Sequence, residues 1–176
     1  MLNIRPAAAA DVPQILTYIH DLAAYEREPD AVLATEADLL RDGFPTSLGA
    51  TPRFYCLMAE LKQGCHYISV GFALYFYNYS TWRGHHGIHV EDIFVRPEFR
   101  GKGIGKALLT RVAAIAVAEG CHRLQWDVLE WNTPAIGFYE QMGAKMMTEW
   151  RTMRVGQEAL PEFAAQGHRP APEHAP

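Results

Sequence analysis

The sequence predicts a mixed α/β fold: a mostly antiparallel sheet with a parallel pair at its centre and helices on both faces. Three observations carry that expectation. Strand-like segments follow one another from Arg53 to Tyr79 without intervening helices, so they should pair antiparallel. A strand–helix–strand run from Val90 to Leu129 should give two parallel strands through a right-handed crossover. Apolar residues recur at helical spacing near the N-terminus and again from Ile104.

The elements follow in order. Leu2 to Arg5 reads as a first strand, and Asp11 can cap a helix that turns Val12, Ile15, Ile19 and Leu22 inward. A polar, acidic loop follows, Tyr25-Glu26-Arg27-Glu28-Pro29-Asp30. Thr35-Glu36-Ala37-Asp38 is a capping box with Asp in place of Glu, opening a short helix that ends at Gly43. Arg53 to Leu61 is a strand, and Gln63-Gly64 begins a turn. Ile68 to Tyr79 is a long aromatic strand, with Phe72, Leu74 and Phe76 on one face and Tyr75, Tyr77 and Tyr79 on the other. Ser80 to Gly87 is a turn carrying Trp82. The second helix pair begins at Ile104, with Gly120 as a stop, and at Asn132, a cap followed by Pro134 in the first turn. Arg123 to Leu129 is the parallel strand. Lys145 to Met147 and Arg151 to Val155 read as two closing strands, and Gly156 to Gln166 as a loose helix. The whole is one domain over 1–166. The tail from Gly167 to Pro176 is expected to be disordered.

Composition narrows the function. A net charge of −4 without a basic run disfavours a nucleic-acid binder. Three scattered cysteines give no disulfide framework and fit a reducing compartment. No basic-then-apolar leader is present, and no apolar run reaches the roughly 18 residues a membrane span needs. A soluble, cytoplasmic protein without membrane contact is expected.

The most informative stretch is His89 to Leu109. Ile93, Phe94 and Val95 form a strand that Pro97 ends. Gly101, Gly103 and Gly105 then alternate with Lys102 and Ile104, flanked by Arg100 and Lys106, and a helix starts inside the glycine run. Successive backbone amides at a helix start can cradle a phosphate or pyrophosphate. A P-loop would need Gly at 100 and Ser or Thr at 107, where Arg100 and Ala107 stand. A dinucleotide fingerprint from Gly101 would need Gly at 106, where Lys106 stands.

Arg100-Gly101-Lys102-Gly103-Ile104-Gly105 resembles the R/Q-x-x-G-x-G/A acyl-CoA loop of the GNAT superfamily of N-acetyltransferases. Asn132-Thr133-Pro134-Ala135-Ile136-Gly137-Phe138-Tyr139-Glu140-Gln141-Met142-Gly143-Ala144 is similar to that family's second signature. Val90 to Val95, Glu130-Trp131-Asn132 and Tyr25-Glu26 look like the spermidine/spermine branch, which includes diamine and thialysine acetyltransferases. The resemblance implies a GNAT fold with a splayed parallel pair, acetyl-CoA as co-substrate, and a homodimer. It implies direct transfer to a small primary amine in a ternary complex. A GNAT enzyme for protein or peptide amines and a non-catalytic acyl-CoA sensor are the alternatives.

On this resemblance the cofactor side comprises Ile93, Phe94 and Val95, acting mainly through the backbone, the loop residues Arg100 to Gly105, Lys106, Asn132 and Tyr139. Glu91 is the implied base, acting through water, and Tyr139 the implied acid for the leaving thiolate. Tyr25, Glu26, Trp82, Glu91 and Asp92 are the acceptor candidates, since carboxylates and aromatic faces attract ammonium groups. As neighbours on a strand, Glu91 and Asp92 are expected to face opposite ways. His85, His86 and His89 are read as belonging to a solvent-facing turn, and no metal is expected.

Overall fold

A computed structural model describes residues 1–168. The remainder of the tail expected to be disordered, 169–176, lies outside the described residues. The chain forms two compact units, Met1–Trp131 and Asn132 onward.

The first unit is a five-stranded sheet in the order β1-β2-β3-β4-β5. Its strands are β1 (Leu2–Pro6), β2 (Tyr55–Gln63), β3 (His66–Ser80), β4 (His85–Val95) and β5 (Leu124–Trp126). The first four pair antiparallel, and β4 pairs with β5 in parallel. The helices of this unit are α1 (Val12–Tyr25), α2 (Glu36–Gly43) and α3 (Ile104–Ala118). No helix among the described residues is long and apolar enough to cross a membrane.

The two faces of the sheet carry different cores. Cys56, Met58, Phe72, Leu74 and Phe94 pack with Val12, Ile15, Tyr18 and Leu39 of α1 and α2. Tyr18 is buried at the middle, its ring 5.7 Å from Phe72 and 5.6 Å from Phe94. Alternation sends Leu57, Ala73, Tyr75, Ile88 and Val90 to the opposite face, where α3 buries Ile104, Leu108, Leu109 and Val112. Each such side chain contributes about 1.5–3 kcal/mol on burial. Gly71 has a steric reason: a Cβ there would lie 2.4 Å from the Phe94 carbonyl oxygen.

Several expectations need correction. Asp11 precedes α1, but its carboxylate does not cap that helix. It accepts from the Ala8 amide at 2.7 Å and from both terminal nitrogens of Arg5 at 2.7 and 2.8 Å. β5 is only three residues long, and 127–129 lie outside any strand. The expected closing strands at 145–147 and 151–155 are not formed. Met146, Met147 and Met153 are exposed there, so no inward-facing alternation holds a strand in register. Among the described residues β5 is therefore the last strand, and the parallel pair lies at the sheet edge instead of its centre. The turn after β3 is confined to 81–84, and His85, His86 and His89 belong to β4.

The second unit contains α4 (Thr133–Gln141) and α5 (Leu160–Ala165), followed by a 3-10 turn over Gln166–His168. Asn132 caps α4 as expected, its Oδ1 accepting from the Ala135 amide at 3.4 Å. Gly143, at φ 92, follows the helix end.

Candidate active site

The site is built where β4 outruns its parallel partner. β5 reaches only Val90, which pairs with Trp126. On its other edge β4 stays paired with β3 as far as Val95 opposite Gly71. From 91 to 95, β4 therefore has no ladder partner on the β5 side among the described residues, and, the Val95 carbonyl apart, which accepts from Arg100 Nε at 2.8 Å, its backbone groups on that side are open to an extended ligand. The side chains of this segment are otherwise employed. Phe94 is in the core, while Ile93 and Val95 are half-buried.

A bulge sits at the start of that free edge. Val90 pairs with Tyr75 and Asp92 with Leu74, so Glu91 is the extra residue. Its consequence is a change of parity. Ile88 and Val90 lie on the α3 face, whereas Asp92 and Phe94 lie with Leu74 and Phe72 on the α1 face. Glu91 follows His89, with His89 Nε2 and Glu91 Oε2 3.8 Å apart, and the His89 ring stacks on Phe76 of the same face. Glu91 and Asp92 thus share the α1 face, contrary to the expectation of opposite faces for strand neighbours. The bulge is the physical reason.

The electrostatics follow from that placement. Burial pushes the Asp92 carboxyl up to about 6, with further contributions from the negative charges of Glu91 and Glu26. Glu26, just past the end of α1, is itself pushed up by burial. Asp92 is thus partly desolvated, and the charges named as acting on it, those of Glu91 and Glu26, are both negative. Such a site attracts a cation and holds one carboxyl ready to exchange a proton near neutral pH.

Beyond the strand, a 3-10 turn over Pro97–Phe99 leads into the glycine loop. Gly101 and Gly103 take φ 73 and 77, which residues with side chains rarely adopt. A Cβ at either would meet nothing within 4 Å, so the loop is open to a ligand. The first amide to close a turn of α3 is that of Ala107, which donates to the Gly103 carbonyl at 2.9 Å. The amides of 104 to 106 are thus the donors a helix start leaves over, at the positive end of the α3 dipole. Lys102 and Lys106 are exposed beside them. Ile104 is buried and anchors the helix start, and Gly105 lies against Val95. Arg100, exposed, folds back along the end of β4: its Nε donates to the Val95 carbonyl at 2.8 Å, and its guanidinium lies 4.9 Å from the Tyr25 ring centre.

A scan against family models matches residues 16–144 to the acetyltransferase (GNAT) family. The chain belongs to the GNAT acetyltransferase family. It is an N-acetyltransferase, and acetyl-CoA is the co-substrate of this family. It is similar to thialysine N-epsilon-acetyltransferase of Bos taurus, 41% identical over 93% of this chain and 97% of the relative. The Mus musculus counterpart is 37% identical over 93% and 98%. L-ornithine N5-acetyltransferase of Arabidopsis thaliana is 35% identical over 90% and 86%. Among solved structures, an integron cassette protein of V. cholerae superimposes with a TM-score of 0.73 at 24% identity, covering 93% of this chain and 97% of the other. An aminoglycoside acetyltransferase from soil metagenomic DNA gives 0.69 at 17% identity, covering 88% and 97%. At these identities the likeness is one of fold.

Within this GNAT enzyme the structure gathers Tyr25, Glu26, Glu91, Asp92 and the Arg100 loop at one end of β4. It also adds two residues that sequence reasoning passed over for the site. The Trp131 ring lies 5.9 Å from Tyr25, and the Arg27 guanidinium lies 4.3 Å above the Trp131 ring centre. Arg27 holds φ 69, unusual for a residue with a side chain. The Tyr-Glu-Arg run and the lone Trp before Asn132 were the available signals. Trp82 does not join the cluster. It is 87% exposed in the turn before β4, roughly 20 Å of strand away from Glu91. Tyr139 lies on α4 of the second unit, half-buried, with its ring 5.2 Å from Phe138.

Proposed function

We propose that this GNAT enzyme acetylates the primary amine of a small cation of the polyamine, diamine or thialysine-like amino-acid class, by direct attack on acetyl-CoA in a ternary complex. The observation that carries the proposal is the half-buried Asp92 at the start of the free edge of β4, acted on by the negative charges of Glu91 and Glu26. A cationic amine suits three carboxylates, and the thialysine and ornithine enzymes named above act on amines of that kind.

In this reading the amides of 101 to 106 hold the diphosphate of acetyl-CoA, with Lys102 and Lys106 adding charge. The backbone of Ile93, Phe94 and Val95 takes the pantetheine arm in place of a missing strand. Asp92 removes the ammonium proton, directly or through a water shared with Glu91. The free amine then attacks the thioester carbonyl, forming the C–N bond, and a β4 amide receives the oxyanion. As the C–S bond breaks, the Tyr139 phenol gives its proton to the thiolate, and the second proton, lost by the newly acylated nitrogen, returns to the tyrosinate through water. Asn132 serves the cofactor arm as well as capping α4. Asp92, already raised toward neutrality, is better suited to the proton transfer than the sequence reading, which favoured Glu91. Tyr25, Trp131 and Glu26 line the acceptor side. A homodimer is part of the proposal, supported by Met147, Trp150 and Met153, which expose apolar area in the second unit. So is a cytoplasmic location, supported by the scattered, unpaired cysteines.

The test is a panel of amines with acetyl-CoA, following released thiol. Thialysine, ornithine, lysine, short diamines and spermidine should include a substrate with kcat/KM far above that of neutral amines. Turnover restricted to peptide amines, or acetyl-CoA binding without turnover on any amine, would overturn the proposal.

A further inference from the structure

At the opposite end of β4 from the glycine loop, three metal-binding side chains meet that acetyl transfer does not use. His86 is near the start of β4, Glu119 is the residue after α3, and Cys121 lies in the bend that follows. A ring nitrogen, a carboxylate oxygen and the thiol sulfur of these residues lie within 4.8 Å of one another.

Backbone geometry brings them together. Gly120 takes φ 70 and reverses the chain at the end of α3. The Cys121 amide then donates to the Ala116 carbonyl at 2.8 Å, and the His122 amide to the His86 carbonyl at 3.1 Å. The bend is therefore laced both to the helix and to β4. The rings of His85 and His122 stack at 3.6 Å beside it. His86 and Cys121 are half-buried and fixed, while Glu119 is exposed and adjustable. The carbonyl end of α3 favours positive charge at this place. The Tyr77 ring stands edge-on to the His86 ring, 6.0 Å between centres.

We propose that His86, Glu119 and Cys121 form a binding site for one divalent transition-metal ion of the zinc class, with the fourth position left to water. One nitrogen, one sulfur and one carboxylate oxygen suit a borderline-soft ion and not magnesium or calcium, which take oxygen shells. A tetrahedral ion with bonds of about 2.0–2.3 Å holds its ligand atoms about 3.3–3.8 Å apart. With all three atoms within 4.8 Å of one another, the closure needed is at most about 1–1.5 Å. On binding, the thiol releases its proton to solvent and the thiolate becomes the ligand. The ion joins the end of α3 to the start of β4 and so clasps the sheet edge that the short β5 leaves weakly paired. Its role is structural, remote from Asp92 and the glycine loop.

The test uses the full chain without a tag, stripped with a chelator. Zinc is titrated calorimetrically against a competing chelator, and cobalt(II) is titrated with absorbance in the near ultraviolet. We expect one ion per chain and a thiolate-to-cobalt charge-transfer band. Cys121→Ser should abolish the band and weaken zinc binding at least tenfold, and His86→Gln should weaken it at least tenfold. Cys65→Ser, at an exposed turn, should change neither. Absence of saturable one-to-one binding by the parent chain would overturn the proposal. So would a folded Cys121→Ser chain that keeps both band and affinity. If Cys121→Ser fails to fold by circular dichroism, His86→Gln decides, and unchanged zinc affinity in it would be equally fatal.

Discussion

At the β1 end of the sheet, Arg5 lies between Asp11 and Glu60, 2.7 Å from an oxygen of each. At the far end, the half-buried Asp92 is acted on by the negative charges of Glu91 and Glu26. The Arg5 guanidinium holds the Asp11 carboxyl below its usual range, whereas burial and like charge push Asp92 up to about 6. The first arrangement locks α1 onto β1 and β2 with charge-assisted hydrogen bonds. The second leaves a carboxylate in want of a cation. Structural charges are commonly settled by pairing; the unpaired negative group at Asp92 is what carries the proposal that a cationic ligand is its partner.

The contrast can be broken by mutation, and the largest effect should fall at Asp92. Asp92→Asn should lower kcat/KM for the amine about 100- to 1,000-fold at neutral pH, the range of a lost general base. Steady-state thiol release measures it. Acetyl-CoA affinity by calorimetry should change little. A loss smaller than about tenfold would move the base role elsewhere, with Glu91 first in line.

Stability should move the other way. Because the Asp92 carboxyl is raised in the folded state, it favours folding only while protonated, and that contribution is lost as pH rises through about 6. Asp92→Asn should therefore stabilise the protein at pH 8 by about 1–3 kcal/mol and make little difference near pH 4. Thermal melts at the two pH values check this. Asp11 reverses the sign: its depressed carboxyl stabilises above its unfolded value and loses that effect as pH falls through its folded one. Asp11→Asn should cost about 1–2 kcal/mol at pH 7, discounted for the partly exposed Arg5, and leave kcat unchanged. The smallest effect belongs to Glu91→Gln. Removing one like charge should lower the Asp92 pKa, so the acidic limb of the activity profile should move down by less than about one unit.

The same residues show how much of the molecule could be read from its sequence. The glycine loop was legible because each step is local: a strand, a proline stop, glycines at positive φ and a helix start occupy consecutive residues. The capping box at Thr35 and the Asn132 cap were legible for the same reason. The Glu91 bulge was not, because it is a register shift against β3 and nothing in Val90-Glu91-Asp92 announces an unpaired residue. That single shift turned two carboxylates expected on opposite faces into neighbours. Asp11 looked like a helix cap since its distant partner, Arg5 aligned beside Glu60, exists only once β1 pairs with β2. The segment 145–155 has β-like residues, yet a strand needs a ladder, and residue preference alone provides none.

The most direct test of the central claim is the pH profile of kcat/KM for the best amine at saturating acetyl-CoA, measured for the parent enzyme and for Asp92→Asn. If the half-buried Asp92 carboxyl beside the Glu91 bulge takes the ammonium proton, the parent shows an acidic limb near pH 6 that disappears in Asp92→Asn, while any limb due to the amine itself stays in both. An acidic limb of the same position and depth in the two enzymes would contradict it.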